Sequence, residues 1–236
     1  MNLIDAIYYI NLDKSVERNK LMKELLKDEI FKDMKKHRIK AIDGKKNTSY
    51  LHRKLKNMDT NKFSLSEYGC LLSHLNTILT FSRSKYNIAL ICEDDLSLEY
   101  KPYWTTSLNT CIQNAPSDWG ILQICILVDK LPTYLYTKWD RFYSTGAYLI
   151  RKEQAIKCIN DIYINNQFIL NSLYNHVSDQ FIYKTIPTYT YKYPFFTFTG
   201  KNSTIHTSHV KNEHIPSKKT IKKLLQKRYK SKKIKS

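Results

Sequence analysis

The chain has 236 residues, of which 42% are hydrophobic and 13% aromatic, enough for one domain with a substantial core. Its five glycines and six prolines exclude a collagen-like or low-complexity chain, and no apolar run reaches the length of a membrane-spanning helix. A formal charge of +18 suits anionic partners without defining any chemistry.

Residues 4–12 are apolar and β-prone and read as a first strand. A turn at 11–15 follows, with Ser15 placed to cap a helix over 16–31 that carries Leu21, Met22, Leu25 and Leu26 at helical spacing. Residues 38–42 read as a second strand ending at Asp43-Gly44, so the chain opens with a strand–helix–strand unit and parallel pairing is expected. The basic, aperiodic stretch 45–62 reads as a loop. Ser64 and Glu67 have capping-box spacing before the helical stripe Tyr68, Leu71, Leu72, Leu75, Ile78 and Leu79. In that helix Gly69 and Ser73 are small and four apart, which invites a close approach by another element. Strands are expected over 88–92, 118–125 and 143–150, and helices over 104–112, 152–164 and 179–185. Residues 131–142 are rich in Tyr and Trp without a clean period, and their aromatics suit either a core or a platform for an acceptor. No repeat and no second-domain boundary precedes residue 217.

The strand at 88–92 runs into Glu93-Asp94-Asp95. Three adjacent carboxylates repel and cannot all stay ionised in a dry interior, so they must be solvated, paired or neutralised by a cation. The end of a buried strand in an α/β sheet is where ligands bind, and clustered oxygen ligands there suit Mg²⁺ or Mn²⁺. The plain alternative is an acidic turn.

Several local patterns, in this order, resemble glycosyltransferase family 25, which includes bacterial lipopolysaccharide galactosyltransferases and collagen galactosyltransferase domains. They are YINLDKSVER at 9–18, AIDG at 41–44, LSEYGCLLSH at 65–74, ALICEDD at 89–95, YSTGAY at 143–148, SDQ at 178–180, Tyr193-Pro194 and STIH at 203–206. The resemblance covers residues 4 to 206. It implies an α/β fold of GT-A type with a mixed, mainly parallel sheet flanked by helices, a UDP-sugar donor, and Glu93-Asp94-Asp95 as the acidic metal-binding motif. Asp95 is then the first choice for direct contact with Mn²⁺ or Mg²⁺. Glu93 is a second or water-mediated ligand or a ribose contact, and Asp94 is a further donor contact, although in an extended chain its side chain points the other way.

In the same frame Asn11 and Arg18 are donor contacts, where their ordinary reading is a turn Asn and a surface Arg paired with Glu17 or Asp13. Asp43 is a ribose contact or simply the turn residue. His206 is a candidate metal ligand, with His209 and His214 close behind it. His74 reads more readily as a partly buried structural His than as a catalytic one. The family's bacterial members are described as inverting, and inversion needs a base for the acceptor hydroxyl. Asp179 is the leading candidate, balanced against a helix N-cap role, and Asp129 is a weaker one.

The expectation is therefore a glycosyltransferase domain over 1–216 and a basic tail over 217–236, helical or disordered. The enzyme would move a hexose or N-acetylhexosamine from a UDP-sugar to a hydroxyl acceptor on a glycan, a lipopolysaccharide-like molecule or a hydroxylysine-bearing, collagen-like protein. Ile221, Leu224 and Leu225 give the tail a short apolar face, so contact with an anionic membrane is considered. With no secretory leader pattern and five dispersed cysteines, a cytoplasmic setting, peripheral to a membrane at most, is expected. The rival classes are a basic protein that binds nucleic acid or a membrane without catalysis, and a metal-dependent nuclease or nucleotidyltransferase. Only the charge speaks for nucleic acid, and the other motifs do not require it.

Overall fold

The computed structural model describes residues 2–128, 130–199 and 214–234. In chain order the first half contains β1 (Ala6–Asn11), α1 (Val16–Leu25), β2 (Lys35–Lys40), α2 (Thr48–Lys54), β3 (Leu55–Lys56), α3 (Leu65–Ser82), β4 (Ile88–Glu93), β5 (Leu96–Ser97) and α4 (Leu108–Gln113). The second half contains β6 (Ile121–Gln123), β7 (Tyr136–Lys138), β8 (Ala147–Arg151), α5 (Lys152–Ile162), β9 (Tyr163–Ile164), β10 (Gln167–Ile169), α6 (Ser178–Thr185), β11 (Thr188–Tyr191), β12 (Thr197–Phe198) and α7 (Ile215–Lys233).

Seven strands form one mixed sheet in the order β2-β1-β4-β8-β6-β11-β7. β1 pairs in parallel with β2 and β4, and β6 with β11, while β8 runs antiparallel to β4 and β6, and β7 to β11. β1 is buried at every position, which is why it reads as a continuous apolar run: parallel strands covered on both faces have no solvent side. Alternate residues supply two cores. Tyr8, Ile10 and Ile91 pack with α3, α5 and α6 on one face, and Ile7, Tyr9 and Leu90 pack with α1 and α4 on the other.

α3 starts at the expected capping box: Ser64 Oγ accepts from the Glu67 N–H at 3.2 Å, and Glu67 Oε2 accepts from the Ser64 N–H at 2.7 Å. The close approach expected at Gly69 and Ser73 is present. A Cβ on Gly69 would lie 2.6 Å from the Ile42 carbonyl oxygen, and one on Gly44 only 1.7 Å from that of Leu65. The Ile42 N–H donates to Ser73 Oγ at 2.8 Å. Two glycines and a serine thus press the 42–44 loop onto α3 and set one wall of the site described below.

Three local expectations change. The helix from residue 16 stops at Leu25, a separate 3₁₀ turn follows at Glu29–Phe31, and Ser15 makes no side-chain cap. The stretch 45–62 holds α2 and β3, whose buried apolar residues are only Leu51 and Leu55, too few to give a periodic signal. β7 emerges from the aperiodic aromatic region as a short strand at the sheet edge.

The basic C-terminal segment is helical and lies on the body of the protein. Ile221 and Leu225 are buried against Tyr100, Ile126 and Val128. Ser217 Oγ accepts from the Val128 N–H at 2.9 Å, and the Arg228 guanidinium sits 3.6 Å from the centre of the Tyr193 ring. The apolar face considered above for a membrane is therefore occupied by protein. No helix among the described residues is long and apolar enough to cross a membrane.

Candidate donor site at the ends of β1 and β4

Ile10 of β1 is level with Glu93 of β4. The residues that follow in both strands therefore leave the sheet side by side, at the carboxyl edge where α/β sheets bind ligands. Asn11 is 1% exposed and Asp94 9%. Asn11 Nδ2 donates to Asp94 Oδ2 at 2.6 Å, and its Oδ1 accepts from Arg38 Nε at 2.9 Å. Arg18, in the first turn of α1, places Nη2 at 2.7 Å from Asp94 Oδ1 and 3.0 Å from Asp95 Oδ2. The ordinary reading of Arg18 as a surface residue paired with Glu17 or Asp13 is thus replaced. Asp13 instead receives Arg38 and Lys40, and Asp94, expected to point away, is the carboxylate that Asn11 and Arg18 hold most closely.

Glu93 Oε1 accepts from Thr145 Oγ1 at 2.9 Å and lies 3.6 Å from His74 Nε2. Burial alone would raise its pKa. The His74 imidazole, the Thr145 hydroxyl and the Arg18 charge outweigh that and hold it below the usual glutamate range. Asp95 shifts the other way, because burial and the Glu93 charge outweigh Arg18. Burial also raises Asp94, against Asn11 and Arg18. Three carboxyl groups thus share one guanidinium and the His74 imidazole.

A cavity of about 300 Å³ opens beside it. Arg18, Glu93, Asp94, Asp43, Lys14 and Lys45 line it, and Lys14 pairs with Asp43 at 2.6 Å. Four of the expected donor residues therefore share one space that also holds cations, and Asn11 is tied to it through Asp94. Asp95 is tied to it through Arg18.

Asp179 is built differently. It lies in α6 and is 7% exposed. Val177, not Asp179, is the N-cap of α6. Asp179 Oδ2 accepts from the Ser144 N–H at 2.7 Å, and Oδ1 from the Gln180 N–H at 2.7 Å. Burial raises its pKa above the usual aspartate range despite these two N–H groups, and the Glu93 charge adds to the rise. Ser144 has φ 98°, a backbone conformation unfavourable for a side-chain-bearing residue. It is held there by Asp179, by Tyr183 OH donating to its carbonyl at 2.8 Å, and by Gln123 Nε2 at 3.0 Å from the same oxygen. This clamp sets Thr145, the next residue, against Glu93. Asp179 is not among the residues lining the cavity.

His206, His209 and Asp129 lie outside the described residues. Arg38, Gln123 and Thr145 were not singled out from sequence as site residues. Thr145 sits inside the YSTGAY pattern, which was a usable signal, whereas nothing local marks Arg38 or Gln123.

The ends of β1 and β4 thus bring a carboxylate cluster, and a cavity lined by side chains of both signs, to the carboxyl edge of an α/β sheet. The model of glycosyltransferase family 25 (LPS biosynthesis protein) matches residues 4–170, and the chain belongs to this family of glycosyltransferases. No curated protein matches the chain. Among solved structures, it is similar to a glycosyltransferase involved in the glycosylation of the major capsid of PBCV-1, with 9% identity, 85% of this chain and 94% of that chain covered, and a TM-score of 0.42. It is also similar to A197 from STIV, with 9% identity, coverages of 82% and 83%, and a TM-score of 0.38. A Drosophila β1,4-galactosyltransferase 7 variant, solved with manganese, UDP-Gal and xylobiose, is matched at 14% identity, coverages of 89% and 74%, and a TM-score of 0.37.

Proposed function

We propose that this glycosyltransferase has a GT-A type site and moves a hexose or N-acetylhexosamine from a UDP-sugar to a hydroxyl of a saccharide or protein acceptor, with inversion and with the help of Mn²⁺ or Mg²⁺. The observation that carries the reading is the Glu93-Asp94-Asp95 cluster, which shares the Arg18 guanidinium and whose Glu93 and Asp94 line a cavity that also holds Lys14 and Lys45. An all-oxygen donor set of clustered carboxyl groups fits a hard divalent ion, and Asp95 with Glu93 would hold it. Such an ion supplies charge stabilisation for the departing diphosphate.

The chain's own residues do the rest. Arg18 and Asn11 fix the carboxylates, Lys14 and Lys45 face the diphosphate, and Asp43 accepts from the ribose hydroxyls. Asp179 takes the proton of the acceptor hydroxyl: each carboxylate oxygen has a second lone pair beyond its backbone N–H bond, and a raised pKa suits a base. Asp95→Ala is expected to abolish metal-dependent UDP binding in a chain that still folds, measured by calorimetry and circular dichroism. Unchanged UDP affinity in that folded variant would remove the metal-site assignment. Asp179→Asn is expected to keep UDP-sugar binding and lose transfer by about 100-fold or more, the upper part of what general-base catalysis supplies. Full activity would end its role as base.

A further inference from the structure

On the wall of the cavity nearest α3, Glu93 meets two residues that donor binding does not use. Cys70 and His74 are four apart on α3, so they present their side chains on one face, one turn apart. His74 is fully buried. Its Nδ1 lies 3.1 Å from the Tyr148 hydroxyl, and its Nε2 has no hydrogen-bond partner among the described residues. Nε2 faces Glu93 without a hydrogen bond, and a buried ring nitrogen that lacks one costs roughly 1–3 kcal/mol, which a ligand shared with Glu93 would offset.

One ligand atom each of Cys70, His74 and Glu93 lies within 4.8 Å of the others, and all three residues line the cavity. The separation of His74 Nε2 and Glu93 Oε1, 3.6 Å, is too long for a hydrogen bond. It is close to the roughly 3.3 Å that separates two N or O ligands on one tetrahedral ion with bonds of about 2.0 Å. A thiolate, an imidazole and a single carboxylate form a soft-to-borderline set, unlike the all-oxygen cluster with which it shares Glu93.

We propose that Cys70, His74 and Glu93 form a second metal site, selective for a thiophilic divalent ion of the Zn²⁺ class, with its fourth position open to the cavity. Coordination forms a sulfur–metal bond and breaks the S–H bond, and the proton passes to solvent. Binding is thus an exchange of one ion for one proton, and no oxidant or reductant takes part.

The test uses the full chain, cleared of metal with a chelator and titrated with Co²⁺, a spectroscopic stand-in for Zn²⁺. The expected result is the intense visible spectrum of a tetrahedral ion together with a thiolate-to-cobalt charge-transfer band that saturates at one equivalent and is bleached by Zn²⁺, while Co²⁺ held by the carboxylates alone adds no such band. Cys70→Ser should remove the charge-transfer band, and His74→Gln should weaken Co²⁺ binding by about tenfold or more. If either variant fails to fold, the other locates the site. A weak octahedral spectrum with no charge-transfer band in the native chain, or a band that survives Cys70→Ser, overturns the proposal. The spectrum is read without nucleotide, and no thiol belongs to the carboxylate cluster. Failure here is therefore distinguishable from failure of UDP-sugar binding.

Discussion

At the end of β4 three carboxylates stand on consecutive residues, and along α7 a run of lysines stands on successive turns; each is a cluster of one sign. The carboxylates are enclosed. Asn11, Arg18 and Thr145 are aimed at them, and two of the three have pKa values raised mainly by burial. The lysines are mostly left in water. Lys219, Lys223, Lys227 and Lys230 are exposed, while Lys218 and Lys222 share Glu99. Enclosing like charges is costly and persists where a ligand uses them. Leaving them in water costs little, and exposed pairs there contribute about 0–1 kcal/mol each. Total charge, which is larger in the tail, is thus a poor guide to where the chemistry lies. The way the charge is held is the better one.

The contrast can be broken most sharply at Arg18. Arg18→Ala leaves Asp94 and Asp95 without their guanidinium, in a site where both are mostly shielded from water. The expected loss is about 3 kcal/mol in denaturant unfolding, partly recovered by Mn²⁺. A loss under about 0.5 kcal/mol would place the acidic cluster in the same class as the tail.

A smaller effect is expected at Glu99. Lys218, with Lys222, holds its carboxyl below the usual range against the opposing effect of burial. The native pKa is then below the unfolded one. The stabilisation is complete above the ordinary glutamate value of 4.5 and is lost as pH falls through the depressed native value. Native and Glu99→Gln chains should therefore melt apart at neutral pH and converge in acid. A constant gap across that range would mean that Glu99 acts by packing rather than charge. The smallest effect is expected from Lys219, Lys223 and Lys227 changed together to Gln, within about 0.5 kcal/mol of native. A larger loss would show that α7 depends on its exposed charges and not on Ile221 and Leu225.

Much of this frame is legible in the sequence because it is encoded locally. The buried run of β1, the stripe and capping box of α3 and the strand that delivers Glu93 each declare themselves within a few turns or strand residues. The pairing of Asn11 with Asp94 spans 83 residues, and it becomes readable only once β1 and β4 are neighbours. Gly69 and Ser73 announced a close contact without naming its partner, the 42–44 loop. The rest is silent for physical reasons. α2 buries one residue, β7 is a three-residue edge strand, and Ser144 takes a strained backbone because Asp179 and Tyr183 of α6 and Gln123 of β6 impose it from two distant elements. The tail is the instructive case. Its composition suits a free amphipathic helix, and only the apolar recess formed by Tyr100, Ile126 and Val128 makes it part of the body.

The most direct measurement is calorimetric binding of a panel of UDP-sugars to the full chain, with and without Mn²⁺. Tight binding of one UDP-sugar that requires the ion, with slow release of UDP, is the predicted result. Failure of UDP and every UDP-sugar to bind in either condition would contradict a donor site at the ends of β1 and β4.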